Sequence, residues 1–309
     1  MSSPHRSDRR PPDTAAAIAT FESHRPHLMG VAYRMLGSVT DSEDVLQEAW
    51  LRWSKVDPTT IDNSEAFLTT VVGRLALDHL RHAKALRETY SGPWLPEPLA
   101  SEPDPHQDPQ AAVELADSLS MALLVVLETL SPLERAAFVL REVFERPYAE
   151  VAGILGRSES AVRQLVHRAR DRVDEGHARY QADLDTHDEV VQQFLAACAG
   201  ADVEALMGVL APDVVIISDG GGLAQAPRRP VFGRDKVARL LLGFGVRTPE
   251  GTAFTLEPFN GAVGIVARQG GVPISAMAVS VADGLVQSLQ LIANPEKLQF
   301  LEGTHREVR

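Results

Sequence analysis

The stretch from Leu130 to Val173 constrains the fold most, because it carries the start and stop signals of three helices in succession. Ser131 stands before Pro132 and is followed three residues later by Glu134. This pattern is a capping box with proline at the first helical position, where its missing N–H breaks no helical hydrogen bond. The sequence therefore predicts a helix that begins at Pro132.

A second and a third helix follow closely. The second is predicted from about Tyr148 to Leu155, and Gly156 suits its C-terminal cap because glycine adopts positive φ without a Cβ clash. Ser158 is then placed to cap the third helix. Two helices joined by a tight, glycine-containing turn are typical of a helix-turn-helix, whose second helix enters the major groove of DNA.

The third helix has two contrasting faces. Its apolar residues repeat at helical spacing and are expected to face the core: Val162, Leu165, Val166, Ala169 and Val173. The polar residues suit phosphate and base contacts and form the predicted DNA-binding set: Ser158, Glu159, Ser160, Arg163, Gln164, His167, Arg168 and Arg170. The alternative is an ordinary helical hairpin with a solvated charged face.

The overall charge limits what this motif can do alone. The chain has 309 residues and a formal net charge of −12, whereas phosphate neutralisation needs a positive surface. Residues 158–173 nevertheless carry four arginines against two acids. A weakly positive surface in an acidic chain fits a protein that takes most of its DNA affinity from a larger partner.

Cysteine content and apolar runs exclude several other classes. Cys198 is the one cysteine, so no intrachain disulfide can form, and we predict no metal and no cofactor. The strongest apolar run, Met121 to Leu127, is too short to span a bilayer, and no membrane partner is expected. Residues 1–13 contain arginines but no apolar segment, which indicates the disordered tail of a cytoplasmic protein.

The N-terminal region is predicted to be helical from about Thr14 to Ala85, with a break at Gly37 to Thr40. Asp41 is placed to cap the helix after the break, with Asp44 as its capping-box partner. Trp50 and Trp53 are either core residues or anchors of an interface, where tryptophan is enriched. Polar residues at spacings of three and four, with Trp53, form a surface that needs a basic partner: Asp41, Asp44, Gln47, Glu48, Arg52 and Trp53.

The next predicted helix starts at Ser64 and becomes polar and basic in its second half. Single-stranded DNA is bound by positive grooves and by aromatic side chains on which bases stack. Tyr90 follows this helix and could stack on a base. The residues predicted to contact melted DNA are Arg74, Asp78, Arg81, His82, Lys84 and Arg87.

Residues 97–117 change character, with six acids, four prolines and no lysine or arginine. Prolines prevent a continuous helix, so this segment is predicted to be an extended, mobile linker. It either follows the nucleic-acid channel of a partner as a DNA mimic or is a solvated tether. The segment Trp94 to Leu99, at the start of this region, is apolar. It would expose apolar surface unless another part of the protein packs on it.

The tail after His187 predicts an α+β domain. Helices are expected over His187 to Ala199, Val203 to Leu210 and Asp235 to Phe244. Strands are expected over Val214 to Ile217, Phe254 to Phe259, Ala262 to Arg268, Ile274 to Val281 and Leu285 to Ile292, the last after the Asp283-Gly284 turn. Helices followed by a curved antiparallel sheet indicate a cone with an internal cavity.

Three segments in order resemble bacterial sigma factors of the extracytoplasmic-function type: Asp41 to Trp53, Phe67 to Arg87, and Leu130 to Arg172. The resemblance implies a polymerase-binding helix, a promoter-melting helix and a domain that reads the upstream promoter element. It also implies core RNA polymerase and promoter DNA as partners. The predicted layout is a tail (1–13), a region 2 domain (14–92), a linker (93–117), a region 4 domain (118–180) and a regulatory domain (187–309).

The tail resembles the SnoaL-like, ketosteroid-isomerase-type cone, and sigma factors with such a tail form the SigJ-type subgroup. Three strings carry this resemblance: Trp94-Leu-Pro-Glu-Pro, Asp219-Gly-Gly-Gly and Asn294-Pro-Glu-Lys-Leu. Leu223 stands where that subgroup often has a basic residue. The predicted regulatory residues are Trp94, Leu95, Pro96, Glu97, Asp219, Gly220, Gly221, Gly222, Asn294, Pro295, Lys297 and Leu298.

Two roles for the tail compete. Isomerase chemistry on this fold uses a carboxylate base with acid or phenol donors, and the tail after Thr186 contains no tyrosine to match Asp219. The prediction is therefore a sigma factor, not an enzyme, regulated in cis by contact between the linker and the tail. A pocket for an unknown small ligand is a further expectation, and the alternative is a SnoaL-like enzyme or ligand sensor carrying a helix-turn-helix.

Overall fold

The computed structural model describes residues 14–57, 60–101, 120–177 and 184–301. The predicted N-terminal tail, and the acidic linker beyond Ser101, lie outside the described residues. Within them, no helix combines the length and apolar character needed to cross a membrane. The described chain forms two compact units: residues up to His82 with Ala136–Gln164, and Ala83–Arg135 with the chain from Leu165 onward. The predicted domain boundaries stay predictions.

Three helices open the chain: α1 Thr14–Leu36, α2 Val39–Trp53 and α3 Ser64–Arg87. Their apolar faces are buried as the helical spacing predicts, with Leu28, Val45 and Leu68 fully enclosed. The predicted cap of α2 is wrong by three residues. Ser38, not Asp41, is the N-cap, and its hydroxyl accepts from the N–H of Asp41 at 3.1 Å. A serine hydroxyl caps as well as a carboxylate, so the choice depends on where the chain leaves α1.

The helix-turn-helix region contains α4 Met121–Glu128, α5 Pro132–Phe138, a wider π-helical turn over Val139–Val143, α6 Tyr148–Leu155 and α7 Glu159–His177. The predicted capping box of α5 is confirmed: the Ser131 N–H donates to Glu134, and the Glu134 N–H donates back to the Ser131 hydroxyl. Gly156 ends α6 at φ 62°, and the Ser158 hydroxyl caps α7.

The remaining chain is the predicted α+β region. Its elements are α8 Leu184–Ala199, α9 Val203–Val209, β1 Leu210–Asp219, β2 Val231–Phe232, α10 Arg234–Arg247, β3 Thr252–Phe259, β4 Ala262–Gln269, β5 Val272–Ala282 and β6 Leu285–Ile292. Asp283 and Gly284 both have positive φ, which fits the tight hairpin between β5 and β6.

The sheet has the order β2-β1-β6-β5-β4-β3 and is mixed. The prediction of a purely antiparallel sheet is wrong, because β1 pairs parallel with β6, with Ile216 opposite Leu289. Parallel neighbours require a long connection, and the 65 residues between the two strands hold β2 to β5 and α10. This pairing brings the ends of β1 and β6, Asp219 and Ile292, side by side.

Both faces of the sheet are covered. One face packs on α8, α9 and α10 through an apolar core that includes Phe194, Leu241 and Leu289. The other face packs on residues from earlier in the chain, with Leu95 and Met121 against Val266 and Ile292. The segment before the acidic linker is therefore part of a core.

Candidate functional site

Asp219 ends β1, and its carboxylate is completely buried. It accepts hydrogen bonds from the Tyr90 hydroxyl at 2.7 Å, the Leu95 N–H at 2.9 Å and the Gly221 N–H at 3.0 Å. Lys297 Nζ donates at 2.7 Å and forms an ion pair with it. A carboxylate has about four acceptor positions, so these four donors occupy them. We call Asp219, Tyr90, Leu95, Asn294 and Lys297 the Asp219 cluster.

The turn after Asp219 requires glycines because Asn294 and the chain after α3 approach it closely. Gly221 has φ 60°, and a Cβ placed on it would lie 2.4 Å from Asn294 Nδ2 and 3.0 Å from the Tyr90 hydroxyl. A Cβ on Gly222 would lie 3.1 Å from the Cβ of Ser91. Only glycine lets this turn approach the chain after α3 so closely.

Asn294 and Lys297 come from the turn that follows β6. Asn294 caps the turn over Pro295–Lys297 by accepting from the Glu296 N–H, and its Nδ2 donates to the Tyr90 hydroxyl at 2.9 Å. Lys297 Nζ also donates to the carbonyl of Leu95. The turn therefore binds both ends of residues 90–95.

Trp94 lies between two cations. The Arg87 guanidinium is 3.4 Å and the Lys297 ammonium 3.9 Å from the centre of its ring. Arg87 also forms an ion pair with Glu128. The prediction that Arg87 contacts melted DNA is wrong for this conformation, because its side chain is largely buried between Trp94 and Glu128.

Burial changes the acid–base behaviour of the cluster. Burial and the hydrogen bond to Asp219 raise the pKa of Tyr90 well above its ordinary value. Burial lowers the pKa of Lys297 to about 8, although the charge of Asp219 opposes that shift. The Tyr90 hydroxyl donates to Asp219, and the suggestion that its ring stacks on a base stays a prediction.

Residues 99–101 extend the sheet at its β3 edge. The Asn260 N–H donates to the Leu99 carbonyl at 2.8 Å, and the Ser101 N–H donates to the Pro258 carbonyl at 3.1 Å. Glu97 is buried nearby, and its charge acts on Lys297. The prediction of a mobile linker is therefore wrong for residues 97–101.

All residues of the predicted DNA-binding set on and just before α7 are exposed, and one of them, Arg168, also packs against another helix. Arg163 is exposed, pairs with Glu159 at 3.1 Å and lies over the Tyr148 ring. Arg168 instead donates its Nε to the buried carboxylate of Glu134 at 3.0 Å. Arg172, one turn further, donates to the same carboxylate at 2.9 Å. Arg168 therefore holds α7 against α5 as well as facing solvent.

Glu134 makes a pH-dependent contribution to this packing. Burial alone would raise its pKa, but the hydrogen bonds from Ser131 and Arg168 and the charge of Arg172 outweigh it and lower the pKa to about 2. A carboxyl group with a lowered pKa stabilises the fold above its ordinary pKa, near 4.5, and this contribution is lost as the pH falls from there towards 2.

We expect Glu134→Gln to lower the free energy of unfolding by about 1–3 kcal/mol at pH 7, because two arginines lose a charged acceptor. The difference from the wild type should shrink below pH 4. Urea unfolding at pH 7 and pH 3 measures both effects. A difference that stays constant over this range would contradict the assignment.

The polymerase-binding surface predicted on α2 is exposed in part. On α2, Asp44, Gln47 and Arg52 are exposed, and Arg52 pairs with Glu48 at 2.7 Å. The prediction that Trp53 binds polymerase is wrong for this conformation. Its side chain is fully buried, and its indole N–H donates to the Ala17 carbonyl at 2.9 Å. The half-buried Trp50 packs against Phe21 instead.

On α3 the residues predicted to contact melted DNA are exposed except Arg87. Arg81 pairs with Asp78 at 3.0 Å, and Arg74 donates to the Gly153 carbonyl at 2.9 Å. His82 and Lys84 are also exposed. Their roles at a promoter stay predictions.

Comparison with known proteins agrees with this arrangement. The family model for Sigma-70 region 2 matches residues 20–85, and the model for Sigma-70, region 4 matches residues 120–173. The second matched range contains the capped helix-turn-helix described above. Together the two matches define a transcription initiation factor of the sigma-70 class.

The chain is 46% identical to the ECF RNA polymerase sigma factor SigJ of Mycobacterium tuberculosis, over 91% of this chain and 92% of the relative. The crystal structure of that SigJ matches with a TM-score of 0.74 and 43% identity, covering 91% of this chain and 97% of the other. The probable sigma factor SigI of the same species is 31% identical, over 92% of this chain and 95% of SigI.

The chain therefore belongs to the extracytoplasmic-function (ECF) sigma factors, as predicted. Sigma factors bind core RNA polymerase and promoter DNA and direct initiation to particular promoters.

Proposed function

We propose that the region from His187 onward regulates this sigma factor in cis by holding residues 90–101. The observation that carries the proposal is the buried Asp219 carboxylate, which accepts from Tyr90 and from the backbone of Leu95. These residues join α3, which resembles the promoter-melting helix, to the helix-turn-helix. When they are held, the range of conformations open to the joined helices is reduced.

Polymerase must then compete with this packing. A protein in equilibrium between a held and a released state responds to any partner that binds the released state better. Buried apolar contacts of Leu95 and the cations around Trp94 favour the held state. We therefore expect transcription to rise when the segment is released and to fall when it is locked.

A reversible disulfide tests this regulation. Ser91 and Gly222 suit a cysteine pair, since a Cβ on Gly222 would lie 3.1 Å from that of Ser91, close to the 3.5–4.5 Å typical of disulfides. In a Cys198→Ser background, the oxidised Ser91→Cys/Gly222→Cys protein should transcribe severalfold less with core polymerase than after reduction. The Gly222→Cys single variant controls for strain at φ 77°. Equal transcription before and after reduction would refute the proposal.

We also propose that Arg163, Gln164 and His167 read promoter bases from the exposed face of α7. Their exposure and their spacing along one helix face support this role, since arginine and glutamine make bidentate contacts with bases. Exposed residues of α2 (Asp44, Gln47) and of α3 (Arg81, His82) are proposed to contact polymerase and melted DNA respectively.

Arg163→Ala is expected to cost about 1–3 kcal/mol of promoter affinity and to relax the preference at one base position. Transcription from a promoter library measures the preference position by position, with Arg157→Ala, an exposed arginine before α7, as the control. A loss that is uniform across promoter sequences would make Arg163 a phosphate contact instead.

We propose that the tail is a regulatory module and not an enzyme. The filled hydrogen-bonding positions of Asp219 support this, because a general base needs a free lone pair for the proton it takes. Turnover of a keto-steroid by the purified protein, lost in Asp219→Ala, would contradict this.

A further inference from the structure

The loop after β1, with α10, carries a concentration of positive charge that no role described above uses. Between Gly220 and Thr248 there are six cations and one acid, Asp235, in a chain of net charge −12. The cations are Arg228, Arg229, Arg234, Lys236, Arg239 and Arg247. None of the six forms an ion pair with another described residue, whereas Arg87, Arg163, Arg168 and Arg268 all do.

An exposed aromatic residue, Phe232, stands between Arg229 and Arg234 in the sequence. Phe232 is on β2, the edge strand, opposite Val215, and its side chain is 63% exposed. Its neighbour Val231 packs on the helical side of the sheet, so Phe232 points to the opposite face. Proteins bind single-stranded nucleic acid by combining cations, which contact phosphates, with exposed aromatic rings, on which bases stack. Arginines without ion pairs that neighbour an exposed phenylalanine in the sequence fit this combination.

The loop also lies beside the end of α3. A Cβ on Gly92, in the turn just after α3, would lie 3.6 Å from the Cα of Arg228. The exposed Lys84 is in the last turns of the same helix, eight residues before Gly92. Arg228 therefore lies near the end of the helix that resembles the promoter-melting helix.

We propose that Arg228, Arg229 and Phe232 form a second contact of this sigma factor with promoter DNA, binding the phosphodiester backbone and an unpaired base. Arginine is suited to this because its planar guanidinium binds phosphate oxygens bidentately. The residues of this contact lie outside the Asp219 cluster.

The acidic linker of the same chain is the competing occupant. It leaves the described structure after Ser101, which pairs with β3, while Phe232 is on β2 at the opposite edge of the sheet. Five strand spacings separate the two edges, about 24 Å. The linker has enough residues to cover this distance, so the observation that favours DNA is the position of Arg228 beside the end of α3.

The test uses the full chain with core polymerase. Arg228→Gln/Arg229→Gln removes both charges but keeps the stem that contacts Gly92. The control is Arg247→Gln, about 20 Å along α10 from Arg234. The double variant should bind promoter DNA about tenfold more weakly, and the slope of log affinity against log salt should fall by about 1 per lost phosphate contact. Affinity for core polymerase, measured separately, should not change.

A salt slope equal to that of Arg247→Gln, or a loss of polymerase affinity instead, would overturn the proposal. A photo-crosslinking amino acid at position 232 gives an independent answer. Crosslinks to promoter DNA, stronger on a pre-melted bubble than on duplex, support the proposal. Crosslinks only to polymerase or to the acidic linker overturn it. The Ser91–Gly222 disulfide experiment measures transcription before and after reduction, whereas this test measures DNA affinity and crosslinking. The proposal of regulation in cis and the proposal of a second DNA contact can therefore fail independently.

Discussion

Replacing Asp219 with alanine is expected to lower the free energy of unfolding of the C-terminal region by about 3–5 kcal/mol. The substitution leaves the buried Lys297 ammonium without its counter-ion and three other donors, the Tyr90 hydroxyl and the N–H groups of Leu95 and Gly221, without their acceptor. Removing one partner of a buried ion pair costs this much because the other charge stays out of water. Residues 90–95 should then detach.

Cys198 provides a native probe for this effect. It is the one cysteine of the chain, it packs against the core between α8 and the sheet, and burial raises the pKa of its thiol to about 11. Thiol labelling therefore reports opening of this region. Asp219→Ala should be labelled at least tenfold faster than the wild type under the same conditions.

The matched control removes both charges. Asp219→Ala/Lys297→Met should recover part of the lost stability, because no unpaired buried charge remains. The double variant should still release Tyr90 and Leu95 and so should transcribe like the reduced disulfide variant or better. If Asp219→Ala is as stable as the wild type, Asp219 does not organise this cluster.

Arg268→Met is expected to have the second large effect, also about 3–5 kcal/mol. Arg268 is 3% exposed and binds Glu257 through two parallel hydrogen bonds of 2.8 and 2.7 Å. The variant leaves the Glu257 carboxylate buried without that partner. Glu257→Leu/Arg268→Met should be nearer to the wild type in stability, and urea unfolding of the three variants measures the coupling.

Arg268 also connects to the Asp219 cluster through the backbone. It donates to the Leu301 carbonyl at 2.8 Å, just beyond the turn that carries Lys297. Losing this contact should loosen that turn, so Arg268→Met should transcribe more than Glu257→Leu, in which the Leu301 contact remains. Equal transcription of the two single variants would show that the Arg268 contact with Leu301 has no part in regulation.

Local patterns in the sequence predicted the helices well. The capping box of α5, the glycine cap of α6 and the apolar face of α7 all act within a few residues, so their physical causes lie within the pattern itself. Alternation and the Asp283-Gly284 turn likewise predict β1 and β3 to β6 of the tail, whereas the two-residue strand β2 has no such signal.

The failures share one cause. The chemistry of Trp53 and Arg87 suits external partners, yet both side chains pack inside the protein. The parallel pairing of β1 with β6 was also missed. In each case the role of the residue depends on which distant part of the chain packs against it. Helical spacing describes only local structure and does not predict that packing.

The sequence by itself determined where α5, α6 and α7 begin, which helix faces are apolar, and, through resemblance, that three separated strings belong to one regulatory set. Only the tertiary structure decided that these strings meet at Asp219. Leu95 and Asp219 are 124 residues apart, and Tyr90 and Asn294 are 204 apart. Contacts over such separations form because the sheet buries both faces and brings the ends of β1 and β6 together, and no local propensity encodes that geometry.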